Sequence, residues 1–277
     1  MEKISHGKIV PSLYKYLEIL RFLGFSHLYL PRLPHFSKEN IAQGSKKSDQ
    51  KEMPPSTLKK ASSLSQNLSK EKLTEELLLL ENKVQACRNC PHLVSFRTQT
   101  VFGTGNPYAQ LMFVGEAPGA EEDMQGQPFV GPAGQLLTKM IKAMGLSREI
   151  VYIANVLKCR PDIPKGQKGN RKPTADEMSR CLPYLLSQIK LIKPKVIVAL
   201  GATAYEGLTE QFGVKISEVR GQCFDFHGAI LIPTYHPSFL LHNPSLPNKR
   251  KVWEDLLTAM EKLGMPISEK QRNYFLS

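Results

Sequence analysis

The sequence predicts an α/β fold in which a parallel β-sheet is covered by helices on both faces. Short apolar runs are typical of buried strands, and patterns with helical spacing separate these runs along the chain. The apolar runs are Leu111–Val114, Val151–Ala154, Val196–Leu200 and Ala229–Pro233. The helical patterns are Leu73–Ala86, Ala133–Met144, Thr174–Ile192, Thr203–Phe212 and Asn248–Leu263. Sheets of this kind bind their ligands at the carboxyl ends of the strands.

The composition excludes several classes of protein. Of the 277 residues, 41% are apolar and 22% charged, so the chain is neither wholly disordered nor collagen-like. Charges interrupt the most apolar stretch, Leu13–Leu30, so we expect no membrane span or secretory signal and predict a cytoplasmic protein. The net charge of +12 favours a polyanionic partner such as nucleic acid, although many basic proteins bind none.

Three regions are predicted along the chain. Residues 1–70 form an N-terminal extension rich in Pro, Ser and Lys, which is linker-like or disordered and contains a short amphipathic helix near 13–23. Residues 71–265 form the globular domain, because the alternating strand and helix patterns lie there. Residues 266–277 form a C-terminal tail.

Four of the five cysteines suggest a metal centre. Cys87 and Cys90 form a C-x-x-C pair, whose two thiolates can reach one centre from a single turn. Cys159 and Cys181 supply a second pair at a less specific spacing. Zinc and an iron–sulfur cluster both fit four thiolates, a redox dithiol is a further reading of C-x-x-C, and the spacing does not choose among them.

A Gly- and Pro-rich loop follows the first predicted strand. It starts at Gly115, whose backbone can approach a ligand closely, and a carboxylate, Glu116, comes next. An aromatic residue, Phe129, lies further along between Pro128 and Val130. Taken singly, Glu116 is more simply a solvated loop acid and Phe129 a core aromatic.

The order of several blocks resembles the family 4 uracil-DNA glycosylases, the iron–sulfur branch of the uracil-DNA glycosylase superfamily. The resemblance covers about Leu73 to Leu263. Its blocks include the C-x-x-C pair, the Gly115–Gly131 signature, Tyr152–Pro161, Lys195–Gly201 and Tyr235–Ser238. It implies a three-layer α/β/α sandwich on a four-stranded parallel sheet, and it assigns residues 71–265 to a uracil-DNA glycosylase domain. Here Asp162–Gly169 lengthen a loop that is commonly short in the family.

The resemblance also implies roles for individual residues. Glu116 matches the acid that positions or activates water, and His236 the histidine that supports charge developing on uracil. Phe129 matches the aromatic that stacks on the extruded base, and Asn155 the amide that hydrogen-bonds the uracil edge. Glu122 matches the residue that screens the pyrimidine 5-position.

The remaining implied contacts concern the cofactor and the DNA. Cys87, Cys90, Cys159 and Cys181 match the ligands of a structural [4Fe–4S] cluster. Gly115 is expected to contact the substrate. Arg171 and Lys172 are expected to contact DNA, since basic side chains bind phosphates without reading sequence, and Ser238 is a further expected DNA contact.

The expected function is therefore base excision repair: a monomeric, monofunctional enzyme that hydrolyses the N-glycosidic bond of uracil in single- or double-stranded DNA. Two alternatives remain. One is a non-catalytic module that binds uracil or abasic DNA, which the presence of Glu116, Asn155 and His236 disfavours. The other is a zinc-stabilised nucleic-acid-binding protein.

Overall fold

The computed structural model describes residues 71–164, 166 and 169–276. Within them, the strands are β1 (Thr104–Gly105), β2 (Leu111–Gly115), β3 (Tyr152–Asn155), β4 (Val196–Leu200), β5 (Phe224–Phe226) and β6 (Ala229–Thr234). They form one six-stranded sheet in the order β1-β3-β2-β4-β6-β5. The predicted amphipathic helix near 13–23 lies outside the described residues.

The α/β prediction is confirmed, but the sheet has six strands and not the four that were predicted. The central strands β3, β2, β4 and β6 run parallel and correspond to the four predicted apolar runs. Two antiparallel strands extend the sheet at its edges, where β1 pairs with β3 and β5 with β6. These edge strands have only two and three residues and no fully buried side chain, so they leave no apolar run in the sequence.

Helices connect the strands, and five of them are the predicted ones to within three residues at either end. Residues 71–85 form α1. The others are α2 (Pro91–Phe96), α3 (Ala120–Gln125), α4 (Pro132–Ala143), α5 (Ala175–Ile192), α6 (Ala202–Thr209), α7 (Ile216–Val219), α8 (Pro237–His242), α9 (Leu246–Lys262) and α10 (Glu269–Arg272). Thr174 caps α5 by accepting a hydrogen bond from the Glu177 amide, which fixes the start of that helix.

Side chains of the central strands alternate between two apolar cores. On β2, Met112 and Val114 face a core that includes residues of α1, α5 and α6. Leu111 and Phe113 face a second core that includes residues of α4 and α9. The sheet is therefore buried on both faces, as the continuous apolar runs predict.

The described part of the predicted C-terminal tail packs against α9. The indole Nε1 of Trp253 donates to the Gln271 carbonyl at 2.6 Å, and the Tyr274 ring lies 5.2 Å from the Trp253 ring. Arg250 donates to the carbonyls of Arg272 and Tyr274 at 2.7 and 2.9 Å. The predicted domain boundaries stay a prediction. Among the described residues, no helix has the length and apolarity to cross a membrane.

Candidate active site

The carboxyl ends of the parallel strands meet at one edge of the sheet, where a cavity of about 630 Å³ opens. β2 leads into Glu116, β3 ends at Asn155, and β6 is followed by His236. The lining includes most of the side chains expected in the site: Glu116, Glu122, Phe129, Asn155, Arg171, Lys172, His236 and Ser238. The structure thus brings together residues that are up to 122 positions apart in the sequence, from Glu116 to Ser238.

Gly115 lies against two of these side chains. A Cβ atom at this position would lie 2.5 Å from Asn155 Oδ1 and 2.5 Å from Phe129 Cζ. The absence of a side chain at Gly115 therefore lets the amide and the aromatic ring approach the end of β2. The Phe129 ring lies 5.8 Å from the His236 ring, with the two planes inclined by 33°.

Asn155 presents an unused acceptor. The residue is 2% exposed, and its Oδ1 has no hydrogen-bond partner among the residues that the structure describes. A buried acceptor without a partner costs free energy, and a donor on a ligand would recover that cost. Oδ1 is therefore positioned to read an N–H group.

His236 is held as a neutral donor. The Ser238 amide donates to its Nδ1 at 3.2 Å, and the Ser238 hydroxyl lies 2.7 Å from the same atom. Because Nδ1 accepts, the proton of the neutral ring is on Nε2. Burial lowers the pKa of His236 to about 4, and the opposing effect of Glu122 is smaller. The ring is therefore uncharged at neutral pH and can donate from Nε2.

Glu116 is a carboxylate in a poorly solvated place. Burial raises its pKa, while a hydrogen bond from Thr203 and the charge of Lys172 act in the opposite direction. Sequence reasoning missed Thr203, which lies in the first turn of α6 and lines the cavity. Its position just after β4, at the ligand-binding edge of the sheet, is the signal that could have found it.

The Glu122 carboxylate is engaged by the backbone. Its Oε1 accepts from the amides of Val130 and Gly131 at 3.0 and 3.1 Å, and its Oε2 accepts from the Gly119 amide at 3.1 Å. Glu122 thus lines the cavity and also connects the N-terminus of α3 to the loop that carries Phe129.

Arg171 turns its guanidinium into the protein, whereas its neighbour Lys172 is exposed. Arg171 donates to both oxygens of Glu177 at 2.7 and 2.9 Å and also pairs with Asp162. His92 Nε2 lies 2.7 Å from the same Glu177 carboxylate. Burial raises the pKa of Glu177, but the hydrogen bonds from Arg171, the Thr174 amide and His92 outweigh it and lower the pKa to about 2.

This network joins segments that carry the cysteines. Cys90 is the N-cap of α2 and His92 lies in its first turn, while Glu177 precedes Cys181 in α5. His92, Asp162 and Glu177 place their ligating atoms within 4.8 Å of one another, and Arg171 supplies a positive charge to both carboxylates. The arrangement is therefore that of an ion-pair network with its own cation.

The four predicted metal ligands are free cysteines, and their charges affect one another's pKa values. Cys90, Cys159 and Cys181 are buried, and Cys87 is partly buried. Burial, followed by the neighbouring Cys159 and Cys87, raises the pKa of Cys90 to about 11. The pKa of Cys181 also rises, with burial as its largest cause and Cys159 and Cys87 as further ones, which means that these thiols interact.

Donors already point at two of the sulfur atoms. Arg97 Nη1 lies 2.8 Å from Cys159 Sγ, and the Lys158 amide lies 3.2 Å from Cys181 Sγ. Thiolates that bind a metal group carry negative charge, and hydrogen bonds to them are a usual feature of such sites. The two contacts would stabilise thiolates at Cys159 and Cys181, which is the chemistry that a thiolate-bound metal group needs.

Comparison with known proteins identifies the family. The model of the uracil DNA glycosylase superfamily matches residues 102–257. The type-4 uracil-DNA glycosylase of Thermotoga maritima is 47% identical over 187 residues, which cover 67% of this chain and 94% of the relative. The type-4 enzyme of Archaeoglobus fulgidus is 39% identical over 208 residues, 73% of this chain and 98% of the relative.

A relative from another branch is less similar. The type-5 uracil-DNA glycosylase of Pyrobaculum aerophilum is 29% identical over 188 residues, which cover 57% of this chain and 80% of the relative. The identity to type-4 enzymes is higher and extends over more of the chain. This chain therefore belongs to the uracil DNA glycosylase superfamily and, within it, to the type-4 uracil-DNA glycosylases.

Proposed function

We propose that this protein is a DNA repair glycosylase that rotates uracil out of DNA, hydrolyses its N-glycosidic bond and releases free uracil, leaving an abasic site. One observation carries the proposal: the buried Asn155 Oδ1, at the end of a central strand, has no partner among the described residues. An amide group there complements uracil, whose edge offers both an acceptor, O4, and a donor, N3–H. Cytosine presents the reverse pattern, so it would leave the buried amide unpaired.

The target bond is inaccessible while the base is stacked, so the nucleotide has to be extruded. Phe129 supplies a stacking surface beside Asn155, and stacking on an aromatic side chain is worth roughly 1–3 kcal/mol per base. That energy is comparable with the cost of unstacking one base.

Glu122 completes this side of the cavity. Because its carboxylate is occupied by backbone amides, it excludes the methyl group of thymine by its bulk.

Cleavage of the bond produces a cationic sugar and an anionic uracil. The Nε2–H of His236 donates to the developing charge on uracil O2, and the neutral ring suits this task because it need not lose a proton. Glu116 positions water for attack at C1′ and favours the sugar cation electrostatically. Both residues act as catalytic residues, and Thr203 orients the Glu116 carboxylate.

Three residues serve the DNA backbone in different ways. Lys172 is exposed and contacts a phosphate. Arg171, whose guanidinium is paired with Glu177, shapes the loop that presents Lys172. Ser238 hydrogen-bonds Nδ1 of His236, and its backbone segment contacts the DNA. We propose that the enzyme works on single- or double-stranded DNA as a cytoplasmic monomer.

The cofactor that we propose is a [4Fe–4S] cluster bound by Cys87, Cys90, Cys159 and Cys181. When bound, it crosslinks three chain segments and takes no part in the hydrolysis. The proposal predicts a brown protein with broad visible absorption that is lost when the cluster is removed, together with a lower melting temperature. A colourless protein that contains stoichiometric zinc would contradict the cluster and support the zinc alternative.

A uracil-release assay tests the function. A labelled oligonucleotide with one uracil is incubated with the protein and then treated with alkali, which cleaves abasic DNA. We expect scission with the wild type and losses of about 10²–10³-fold for His236→Ala, the size associated with one oxyanion donor, with a similar loss for Asn155→Ala. His227→Asn, in the β5–β6 turn, is the control and keeps full activity. Binding without scission by the wild type would favour the non-catalytic module.

A further inference from the structure

The backbone of Phe129 adopts a conformation that is uncommon for a bulky residue. Its φ is 55°, in the left-handed region, and the residue is only 7% exposed. Residues other than glycine occupy this region only where the surroundings determine the conformation. Contacts from the neighbouring residues therefore hold Phe129 in this conformation.

Arg148 holds the carbonyl side of this loop. Its Nη2 donates to the Pro128 carbonyl at 2.7 Å and its Nη1 to the Phe129 carbonyl at 3.0 Å. A weaker contact of 3.3 Å joins Nη1 to Thr138 Oγ1. Arg148 lies between α4 and β3 and is only partly exposed. A planar guanidinium fixes two acceptors at once because its donors have a rigid geometry.

Glu122 holds the amide side of the same loop. The Oε1 atom of Glu122 accepts from the amides of Val130 and Gly131. Arg148 thus binds the carbonyls of both peptide groups that flank Phe129, and Glu122 binds the amides of the two peptide groups that follow Phe129. Helix α4 adds a steric limit, since a Cβ at Gly134 would lie 1.9 Å from the Phe129 carbonyl oxygen. The loop therefore has little freedom to relax.

We propose that Arg148 is a positioning residue that keeps Phe129 as a preformed stacking surface for the extruded base. Arg148 does not line the cavity, so it acts through the loop and not on the substrate. A surface that is ordered before the base arrives loses less conformational entropy on binding. The inference rests on the proposed role of Phe129 in stacking.

The test measures an effect that must pass through Phe129. For Arg148→Ala, we expect the inhibition constant of free uracil to rise about tenfold, within the range that loss of one stacking contact gives. We expect kcat/KM on uracil DNA to fall by a similar factor. Arg148→Lys retains the charge but has fewer hydrogen-bond donors, so we expect it to recover part of the uracil affinity and part of kcat/KM. The shape of the pH–rate profile stays unchanged, since Glu116 and His236 remain in place.

A double-mutant cycle with Phe129→Leu decides between positioning and general support. If Arg148 acts through the ring, adding Arg148→Ala to Phe129→Leu lowers kcat/KM by less than about twofold. Equal losses in both backgrounds would overturn the proposal. Should Arg148→Ala not fold, the same cycle is read with Arg148→Lys. Arg250→Ala is the matched control, because Arg250 also binds two backbone carbonyls, those of Arg272 and Tyr274, and is expected to keep full activity.

Amide hydrogen exchange separates this inference from the proposed function. In the ligand-free protein, we expect the amides of Val130 and Gly131 to exchange faster in Arg148→Ala than in the wild type. If the exchange rates of these amides are unchanged and the two substitutions have additive effects on kcat/KM, the proposed role of Arg148 is refuted, even when the enzyme is active. A wild type that releases no uracil would refute the proposed function, while faster exchange in the variant would still support the loop contact.

Discussion

Two glutamates near the carboxyl edge of the sheet have opposite electrostatic surroundings. Glu116 lines the cavity, and burial with few compensating partners raises its pKa. Glu177 lies beside the cysteine-bearing segments, and hydrogen bonds from Arg171, the Thr174 amide and His92 lower its pKa to about 2. The first carboxylate is poorly stabilised in the free protein, whereas the second is fully paired.

The same contrast extends to the neighbours of each glutamate. In the cavity, Asn155 has an unused acceptor among the described residues, and His236 is neutral with a pKa of about 4. In the network around Glu177, the charged groups compensate one another. The difference agrees with the proposed function: the cavity keeps a buried acceptor, Asn155 Oδ1, that a ligand can satisfy, whereas the hydrogen bonds around Glu177 hold the surrounding segments in place.

The largest expected effect is that of Glu116→Gln. We expect kcat to fall by about 10²–10⁴-fold, since the charge that guides water is lost. Folding stability stays equal or increases, because a partly buried carboxylate with a raised pKa is replaced by a neutral group of the same shape. The measurement pairs single-turnover rates with thermal unfolding. A variant within tenfold of the wild-type rate would remove Glu116 from the catalytic residues.

Comparison of the pH–rate profiles of the wild type and Glu116→Gln provides a second test of the role of Glu116. The proposed role of Glu116 needs the ionised carboxylate, so we expect activity to fall as the pH drops through the raised pKa, above the ordinary value of 4.5. We expect His236 to be protonated at lower pH than Glu116, since burial lowers the pKa of His236 to about 4 and raises that of Glu116. We expect the acidic limb to be present in the wild type and absent from the residual activity of the variant.

Gly115→Ala should have the next largest effect. The added Cβ would meet Asn155 Oδ1 and the Phe129 ring at 2.5 Å, so both side chains have to move. Displacements of about 1 Å in a site can cost on the order of 10²-fold in rate, whereas overpacking typically costs about 1–3 kcal/mol of stability. We expect kcat/KM to fall by this factor in a protein that still folds. Retained activity would mean that the two side chains do not need their present positions.

Glu177→Gln should have the opposite effects to Glu116→Gln, because it lowers stability and leaves activity nearly unchanged. We expect the free energy of unfolding to fall by about 2 kcal/mol, less than for a fully buried pair because Arg171 is partly exposed. Activity per folded molecule stays within a few-fold of the wild type. Urea unfolding and active-site titration measure the two quantities. A large loss of rate without a loss of stability would contradict the division between the two glutamates.

The acid dependence of stability has a defined sign for Glu177. Its pKa is about 2 in the folded protein against an ordinary value of 4.5, so its stabilisation is complete above pH 4.5 and is lost as the pH falls toward 2. We expect a flatter stability curve for Glu177→Gln in this window. Parallel curves for variant and wild type would assign the acid sensitivity to other groups.

The smallest expected effect is that of Lys172→Ala. Loss of one phosphate contact should weaken DNA binding a few-fold and reduce the slope of log affinity against log salt by roughly 1. Because the charge of Lys172 lowers the pKa of Glu116, its removal should also move the acidic limb of the rate profile to slightly higher pH. An unchanged salt slope would show that Lys172 does not meet a phosphate.

The sequence predicts the parallel sheet well because its signal is local. Strands such as Val196–Leu200 are continuous apolar runs, and a sheet that is buried on both faces needs them. The edge strand Thr104–Gly105 carries no such run, since it depends on pairing with β3. Helix α5 is also predictable, because Thr174 and Glu177 form a capping box in the sequence itself.

The candidate site is predictable in its membership and less so in its contacts. Resemblance to the family supplies Glu116, Asn155 and His236, and the order of the strands explains why they meet. The direction of a side chain is not encoded locally: nothing in the sequence tells that Arg171 turns toward Glu177 while Lys172 remains exposed. The contacts of Arg148 were missed for the same reason, since its partners are backbone carbonyls 19 and 20 positions earlier.

The single tryptophan of the chain, Trp253, has a consequence for experiments. Its indole is buried, donates to the Gln271 carbonyl and packs beside the Tyr274 ring. Since the protein has no second indole, its ultraviolet emission is an intrinsic probe of whether the C-terminal segment is docked. Detachment of that segment would hydrate the fluorophore and shift its emission to longer wavelength, and no extrinsic dye would be needed to follow it.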